Sequence, residues 1–406
     1  MLRDLCTANT NFDGDTFVGI KYENEKLQIH FPLGFNLSND DETTRKDILL
    51  LISVLANNVY KRESTVPFNA IKNSTAMLPL QAYIFLIKDF FARGFYKEHV
   101  VEYSVSKKGK INWAQTIKKQ NPYVQDTDIF YLDFITKKTN VNDNEIITLI
   151  HHYCVYKSFE KVGVLFTKTM PPKPLLKFNR NLFLSVLNKK LSTTFNDNNK
   201  NLFRNMITII KNENDKQSNV CLRYGTYRFE YVWERLVDKV YGIENKQDYF
   251  PKSNWNLFAF NGVKSANAPL EPDTIMVNNN KVYVLDAKYY KFGYTKQASD
   301  LPGTSSIAKQ IVYGEYIAEE EVFKKLHGND LEVYNAFLMP FDSAMWESEK
   351  LHYIGDATAD WKKQGKSYEN VKGVLVDVKY LMKASLKYEH NEIADMIKFI
   401  EEHCCK

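Results

Sequence analysis

The stretch Glu271-Pro-Asp273-Thr-Ile-Met-Val-Asn-Asn-Asn-Lys-Val-Tyr-Val-Leu-Asp286-Ala-Lys288-Tyr-Tyr290 reads as a β-hairpin. Thr274 to Val277 is a short β-rich run, and Asn278, Asn279 and Asn280 form a turn that tolerates positive φ. Lys281 to Tyr290 is a second run, with Val282, Val284 and Asp286 on one face and Tyr283, Leu285 and Ala287 on the other. Asp273 opens the first strand and Asp286 comes late in the second. A tight antiparallel turn brings those two ends side by side, with Lys288 on the same face as Asp286.

Two like charges held close cost free energy unless a cation or a proton sits between them. Carboxylate oxygens with an open position suit Mg²⁺. A divalent ion beside a lysine is equipment for attacking a phosphodiester: the ion polarises the phosphoryl group and activates water, and the ammonium steadies developing charge. The Ala287 carbonyl is a further oxygen donor at this end. The plainer reading is a hairpin with a surface Asp at each end and a solvated Lys, and the pair alone does not decide between them.

The neighbouring sequence does more. Tyr227 to Val240 has helical periodicity, with Phe229, Val232, Trp233, Leu236, Val237 and Val240 on one face. Glu230 and Glu234 lie one turn apart on it, so either can lean toward the hairpin. Downstream, Pro302-Gly303-Thr304 reads as a helix start with Thr304 as N-cap. The helix Ser305 to Ala318 carries Lys309, Gln310 and Tyr313. Val333 to Met339 and Gly373 to Val378 read as further strands.

Helix, hairpin, helix, strand resembles the PD-(D/E)xK nuclease core. More narrowly, Phe229-Glu-Tyr-Val-Trp-Glu234, Pro272-Asp273, Leu285-Asp-Ala-Lys-Tyr-Tyr290 and Lys309-Gln-Ile-Val-Tyr313 resemble the LlaJI family of restriction endonucleases, akin to McrC, the nuclease subunit of GTP-dependent restriction systems. Gly109-Lys-Ile-Asn-Trp113 with Thr116-Ile117 resembles a motif of the same group. The resemblance implies an α/β chain: a C-terminal PD-(D/E)xK restriction-endonuclease-like core, a central mixed sheet flanked by helices, behind an α+β N-terminal half. It implies a Mg²⁺-dependent endonuclease cutting double-stranded DNA in antiphage defence, within a restriction-modification system that includes a cognate methyltransferase, as a subunit working with a McrB-like GTPase. A self-sufficient site-specific enzyme and a non-catalytic bridging subunit remain the alternatives.

By the same resemblance, Asp273 and Asp286 bind the metal with help from the Ala287 carbonyl. Glu234 or Glu230 adds a carboxylate, and Glu234 fits the aromatic-Glu-x-Leu pattern of the McrC group better. Lys288 orients the attacking water. Gln310 and Tyr313 face the site from the next helix, where they position a strand, or else they serve helix packing.

The chain has 406 residues, room for two domains, with 44% hydrophobic residues and a net charge of +5 that permits DNA binding without demanding it. Five cysteines, at 6, 154, 221, 404 and 405, lack zinc-site spacing and point to a reducing compartment, the bacterial cytoplasm under the resemblance. Met1 to Thr7 has no apolar core and does not read as a signal peptide. No apolar run is long enough to span a bilayer, so no membrane partner is expected.

Toward the N-terminus, Phe17 to Tyr22 and Lys26 to Phe31 read as a hairpin, and Arg45 to Tyr60 and Leu78 to Arg93 as helices. Glu102 to Trp113 reads as another hairpin whose basic tip, Lys107, Lys108 and Lys110, contacts DNA or a partner protein, or is merely solvated with Trp113 packed inward. Ile129 to Phe134 is a short strand. Asp143 is placed as N-cap of a helix carrying His151 and His152, which point apart and do not make a metal site. Asn196 to Asn199 separates two further helices, Arg180 to Leu191 and Asn201 to Lys211.

Pro171-Pro-Lys-Pro174 marks the expected boundary between domains 1–170, for partner or DNA contact, and 171–406, the nuclease. Gly365-Lys-Ser367 ends like a phosphate-binding loop, but position 360 is Asp and no strand precedes it, so the chain itself should not bind GTP or ATP. Asp377-Val-Lys379 repeats the Asp-x-Lys spacing without a Pro-Asp before it and reads as a strand with exposed charges.

Overall fold

The computed structural model describes residues 2–10, 16–23, 26–58, 77–125, 128–142, 145–213, 222–258, 263–267, 269–362, 365–387 and 391–403. It is mixed α/β and divides into two compact units, Met1–Thr75 with Arg223–Lys406, and Ala76–Leu222. The prolines at 171, 172 and 174 fall inside the second unit, so this division differs from the expected 1–170 and 171–406. The reason is strand pairing, which ties the N-terminal strands to a strand near residue 225.

The first unit begins with β1 (Cys6–Ala8), β2 (Val18–Glu23), β3 (Lys26–Phe31) and α1 (Asp41–Asn58). β2 and β3 form the expected antiparallel pair, and β1 runs parallel to β3. Helix α1 starts four residues earlier than the apolar stripe suggested, because the Asp40 carboxylate accepts the Thr43 N–H at 2.7 Å and caps it. Its expected end, Tyr60, lies outside the described residues.

The second unit comprises α2 (Met77–Arg93), β4 (Glu98–Val105), β5 (Lys110–Ile111), α3 (Trp113–Lys119), β6 (Tyr123–Gln125), β7 (Asp128–Phe130), β8 (Ile135–Asn142), α4 (Ile146–Val162), α5 (Arg180–Thr193) and α6 (Asp197–Asn212). β4 and β5 do not pair with each other. Both pair with β8, which lies between them, so the basic Lys107 to Lys110 turn spans a strand instead of closing a hairpin. Trp113 is not packed inward: it opens α3 half exposed, against the edge of Phe134. Asn196 caps α6 through the Asn199 N–H at 3.1 Å, so the polar break is the start of that helix. His151 is fully buried, and its Nδ1 accepts the Tyr96 N–H at 2.9 Å. His152 stacks on Phe95. The proposed cap Asp143 lies outside the described residues, and α4 begins after Glu145.

The first unit resumes with β9 (Leu222–Thr226), which completes a sheet of order β1-β3-β2-β9. Then come α7 (Phe229–Tyr241), the antiparallel pair β10 (Asn254–Leu257) and β11 (Val263–Ala266), and the strands β12 (Thr274–Asn278) and β13 (Lys281–Ala287). They are followed by α8 (Phe292–Thr295), α9 (Thr304–Glu319), α10 (Glu321–His327), β14 (Glu332–Phe341), β15 (Leu351–Ala357), β16 (Val371–Asp377), α11 (Val378–Ala384) and α12 (Glu392–Glu402).

Five of these strands make one mixed sheet of order β12-β13-β14-β16-β15, with β13, β14 and β16 parallel and the outer strands antiparallel. β14 and β16 are buried along almost their whole length, as strands covered on both faces are. Helix α9 joins β13 to β14 and packs Ile311, Tyr313 and Ile317 on Val282 and Val284. Helix α7 packs on β12 and β13 through its apolar stripe, and Trp233 Nε1 donates to the Leu338 carbonyl at 3.2 Å. Among the described residues no helix is long and apolar enough to cross a membrane.

Two local expectations change. Gly303, not Thr304, is the N-cap of α9, and no side chain bonds back to that end. Asp377-Val-Lys379 is not a strand with exposed charges. Asp377 ends β16 buried and caps α11 through the Tyr380 N–H at 2.6 Å, and Lys379 turns to the buried Asp47 of α1 at 2.6 Å.

The junction of β2 with β9 depends on two glycines. A Cβ on Gly19 would sit 2.2 Å from the Tyr224 carbonyl oxygen, and one on Gly225 would sit 2.1 Å from that of Val18. Both have positive φ, +145° and +158°. Gly225→Ala should therefore lower stability by about 1–3 kcal/mol, read as a lower midpoint of urea unfolding; an unchanged midpoint would contradict this account of the junction.

Candidate active site

The hairpin β12–β13 is held in register by the pairs Thr274↔Leu285 through Asn278↔Lys281, and Asn279 takes φ 54° at the turn. Asparagine accepts that left-handed conformation more readily than most residues. The next pair outward from Thr274↔Leu285 is Asp273 with Asp286. Asp273 Oδ2 accepts the Ala287 N–H at 2.9 Å, which fixes that carboxylate against the end of β13. Asp286 is buried, with 8% of its surface exposed. Beyond it, the Lys288 N–H donates to the Leu338 carbonyl at 2.9 Å, so the backbone stays beside β14, and Lys288 Nζ folds back to Asp286 Oδ2 at 2.5 Å.

The three groups that the sequence placed together, Asp273, Asp286 and Lys288, therefore meet at one end of a rigid hairpin. Their electrostatics reflect it. Burial raises the Asp273 carboxyl to about 7, and the adjacent Asp286 charge adds to the rise. The Ala287 N–H and Lys288 oppose it, and Glu234 contributes a smaller upward push. Burial works against the Lys288 ammonium, but Asp286 and Asp273 outweigh it and hold that pKa above the ordinary lysine value.

Glu234 on α7 is thus close enough for its charge to act on Asp273. Glu230, one turn earlier, bonds instead to Arg228 at 2.9 Å. Among the described residues no three His, Cys, Asp or Glu side chains cluster closely enough to hold a metal ion. The acid pair offers two carboxylates and the neighbouring Ala287 carbonyl. Lys246 braces the same end from below: its ammonium pairs with Asp238 at 2.8 Å and bonds the Asp273 carbonyl oxygen.

From α9, Gln310 is buried and its amide donates to the Val284 carbonyl at 2.7 Å, clamping the helix to β13. Tyr313 is buried in the core beside it. Gln310 thus serves the contact between α9 and the sheet; Tyr313 packs in that contact too, and Asp286 and Asp273 act on its hydroxyl. Lys309, which opens the quoted motif but was given no role of its own, stands exposed with Nζ 5.5 Å from the Tyr313 ring centre. The available signal was its spacing: Lys309 is one residue before the clamp and one turn before Tyr313. In the second unit, Lys107, Lys108 and Lys110 are all exposed.

The chain matches the LlaJI restriction endonuclease family over residues 17–379. It is 28% identical over 263 residues to the type II restriction enzyme BsuMI component YdjA of Bacillus subtilis (strain 168), an alignment covering 61% of this chain and 55% of that protein. The chain thus spans about half the length of that curated relative. It also bears a loose likeness to a solved assembly of Thermococcus gammatolerans McrB AAA+ hexamers with bound McrC, at 15% identity and a TM-score of 0.35, covering 94% of this chain and 83% of the other. With the family matched across most of its length, from residue 17 to residue 379, the chain belongs to the LlaJI restriction endonucleases.

Proposed function

We propose that the chain is a Mg²⁺-dependent endonuclease that hydrolyses phosphodiesters of double-stranded DNA in a restriction-modification system. The observation that carries this is the meeting of Asp273, Asp286 and Lys288 at the end of the β12–β13 hairpin. The order α7, β12–β13, α9, β14 supports a PD-(D/E)xK core around it.

The donor set fits a hard divalent cation. A buried Asp286 beside a half-buried Asp273, whose pKa is raised first by burial and then by the Asp286 charge, is suited to a counter-ion, and Mg²⁺ takes few protein ligands and keeps several waters. Asp273, Asp286 and the Ala287 carbonyl would hold it, with Glu234 reaching it through water. When bound, the ion supplies Lewis-acid polarisation of the phosphate and lowers the pKa of a water.

The chain's own groups do the rest. Lys288, beside Asp286, would orient the attacking water and steady negative charge on the phosphate. Water attacks phosphorus in line, the P–O3′ bond breaks, and the products carry a 5′-phosphate and a 3′-hydroxyl. The second unit supplies a contact surface for a partner. Trp113, Ile117, Tyr123, Val124, Ile129 and Phe130 are all at least half exposed, near Lys107, Lys108 and Lys110 in sequence. Exposed apolar side chains with exposed lysines nearby in sequence suit contact with a folded protein that carries acidic groups. By the resemblance of Gly109 to Trp113 to the McrC group, that protein is a McrB-like GTPase, in a bacterial cytoplasm that also holds the cognate methyltransferase.

Plasmid cleavage with Mg²⁺, with and without a GTPase subunit, separates this reading from its alternatives. Cutting that needs partner and GTP supports it, cutting by the chain alone indicates a self-sufficient enzyme, and GTPase stimulation without cutting indicates a bridging subunit. Asp286→Ala and Lys288→Ala should each lower cleavage by at least about a hundredfold with little change in circular dichroism. Mg²⁺-dependent cutting that survives either substitution would refute the assignment.

The raised Asp273 pKa also makes the metal-free fold pH-dependent. The folded chain holds this proton more tightly than the unfolded chain does. Its stabilising contribution is therefore complete below the ordinary aspartate range and is lost as pH rises from there through about 7. In metal-free thermal unfolding, wild type should lose stability relative to Asp273→Asn between pH 5 and pH 8, and Mg²⁺ should restore it at the higher pH. A constant difference between the two proteins across that range would contradict the assignment of Asp273.

A further inference from the structure

We propose that Lys309 is a positioning residue for the DNA: from helix α9 its ammonium grips a non-bridging oxygen of the phosphodiester held at the Asp273–Asp286 pair. This rests on the nuclease reading above and adds to it a second cation, on a different element from Lys288.

The placement follows from the clamp on α9. Gln310 Nε2 bonds the Val284 carbonyl, two residues before Asp286 on β13. Val284 shares the strand face of Asp286, and that face is the one α9 covers with Ile311, Tyr313 and Ile317. The residue next to the clamp is therefore held near the acid pair, at the edge of the covered face. Lys309 occupies that position, and it is exposed where Gln310, Ile311 and Tyr313 are buried. Its ammonium lies over the Tyr313 ring, 5.5 Å from the ring centre, which steadies it.

The three lysines around this site differ in what they bind. Lys288 is paired with Asp286 at 2.5 Å, and Lys246 with Asp238 at 2.8 Å. Among the described residues Lys309 has no ion pair, although both aspartates act on it. The Tyr313 hydroxyl beside it, and then Asp286 and Asp273, hold its ammonium above the ordinary lysine value against the opposing effect of burial. A charged amine that is exposed, braced by Tyr313 and without an ion pair among the described residues, next to a two-carboxylate site, is available to an anion entering with the substrate. A phosphodiester carries such an anion, and a divalent ion on the two carboxylates would remove the attraction that otherwise draws Lys309 toward them. Lys309 makes no bond and moves no proton in the reaction; it sets where the phosphate lies.

The test compares Lys309→Met and Lys309→Arg with wild type on a fluorescent duplex in Mg²⁺, reading binding by anisotropy across a salt series and cleavage as separate kcat and KM. Lys309→Met should weaken binding about tenfold and flatten the dependence of log affinity on log salt by about one. KM should rise more than kcat falls, and thermal stability should be unchanged. Lys309→Arg should recover most of the affinity and the full salt slope. If wild type binds and cuts while Lys309→Met matches it in affinity and salt slope, the Lys309 assignment falls and the nuclease reading stands. If wild type neither binds nor cuts DNA, alone or with its GTPase subunit, both fall together.

Discussion

Two carboxylates forced together at the end of a buried hairpin are the constraint on which the rest of this molecule turns. Water would separate Asp273 and Asp286. The β12–β13 register prevents it; burial and then the Asp286 charge raise the Asp273 carboxyl, the Ala287 N–H and the Lys288 ammonium compensate only in part, and the proton is held up to about 7. Such an arrangement persists only if the surrounding backbone is rigid enough to impose it. The rigidity is visible on every side: β14 is hydrogen-bonded past Lys288, α7 is pinned through Trp233 to Leu338, and α9 is clamped through Gln310 to Val284.

The same fastening explains why some polar residues in the motif region do not touch the site. Gln310 is spent on the backbone of β13, and a buried amide with a satisfied donor is a structural fixture. Glu230 is turned to Arg228, so of the two glutamates on α7 it is Glu234 whose charge reaches Asp273. The site is consequently lean. It has two acids, one lysine paired with Asp286, a third acid acting on Asp273, and on the neighbouring helix a lysine without an ion pair among the described residues.

Much of this end of the protein was legible in the sequence because its signals are local. Alternation fixed β13 and its faces, three asparagines marked the turn, and the stripe from Phe229 to Val240 gave α7 with its buried side. What was not legible depends on partners distant in sequence. Nothing in Lys107 to Lys110 says that β8 slips between β4 and β5. Nothing in Asp377-Val-Lys379 says that its lysine answers an aspartate 332 positions earlier. The proline run at 171 to 174 falls within the second unit, and the division of the units follows the pairing of β9 with the N-terminal strands.

That pairing has a consequence for how the chain is made. The strands β2 and β9 lie about 200 residues apart in the sequence, yet they share a sheet and approach so closely that only glycine fits at Gly19 and Gly225. As the polypeptide leaves the ribosome, β1, β2 and β3 emerge without the neighbour that finishes their sheet. The whole of Ala76–Leu222 is then synthesised, with its own core to collapse around, before β9 appears. The edge of β2 that β9 later covers is thus open throughout that interval, which makes it a place where the nascent chain calls for chaperone cover.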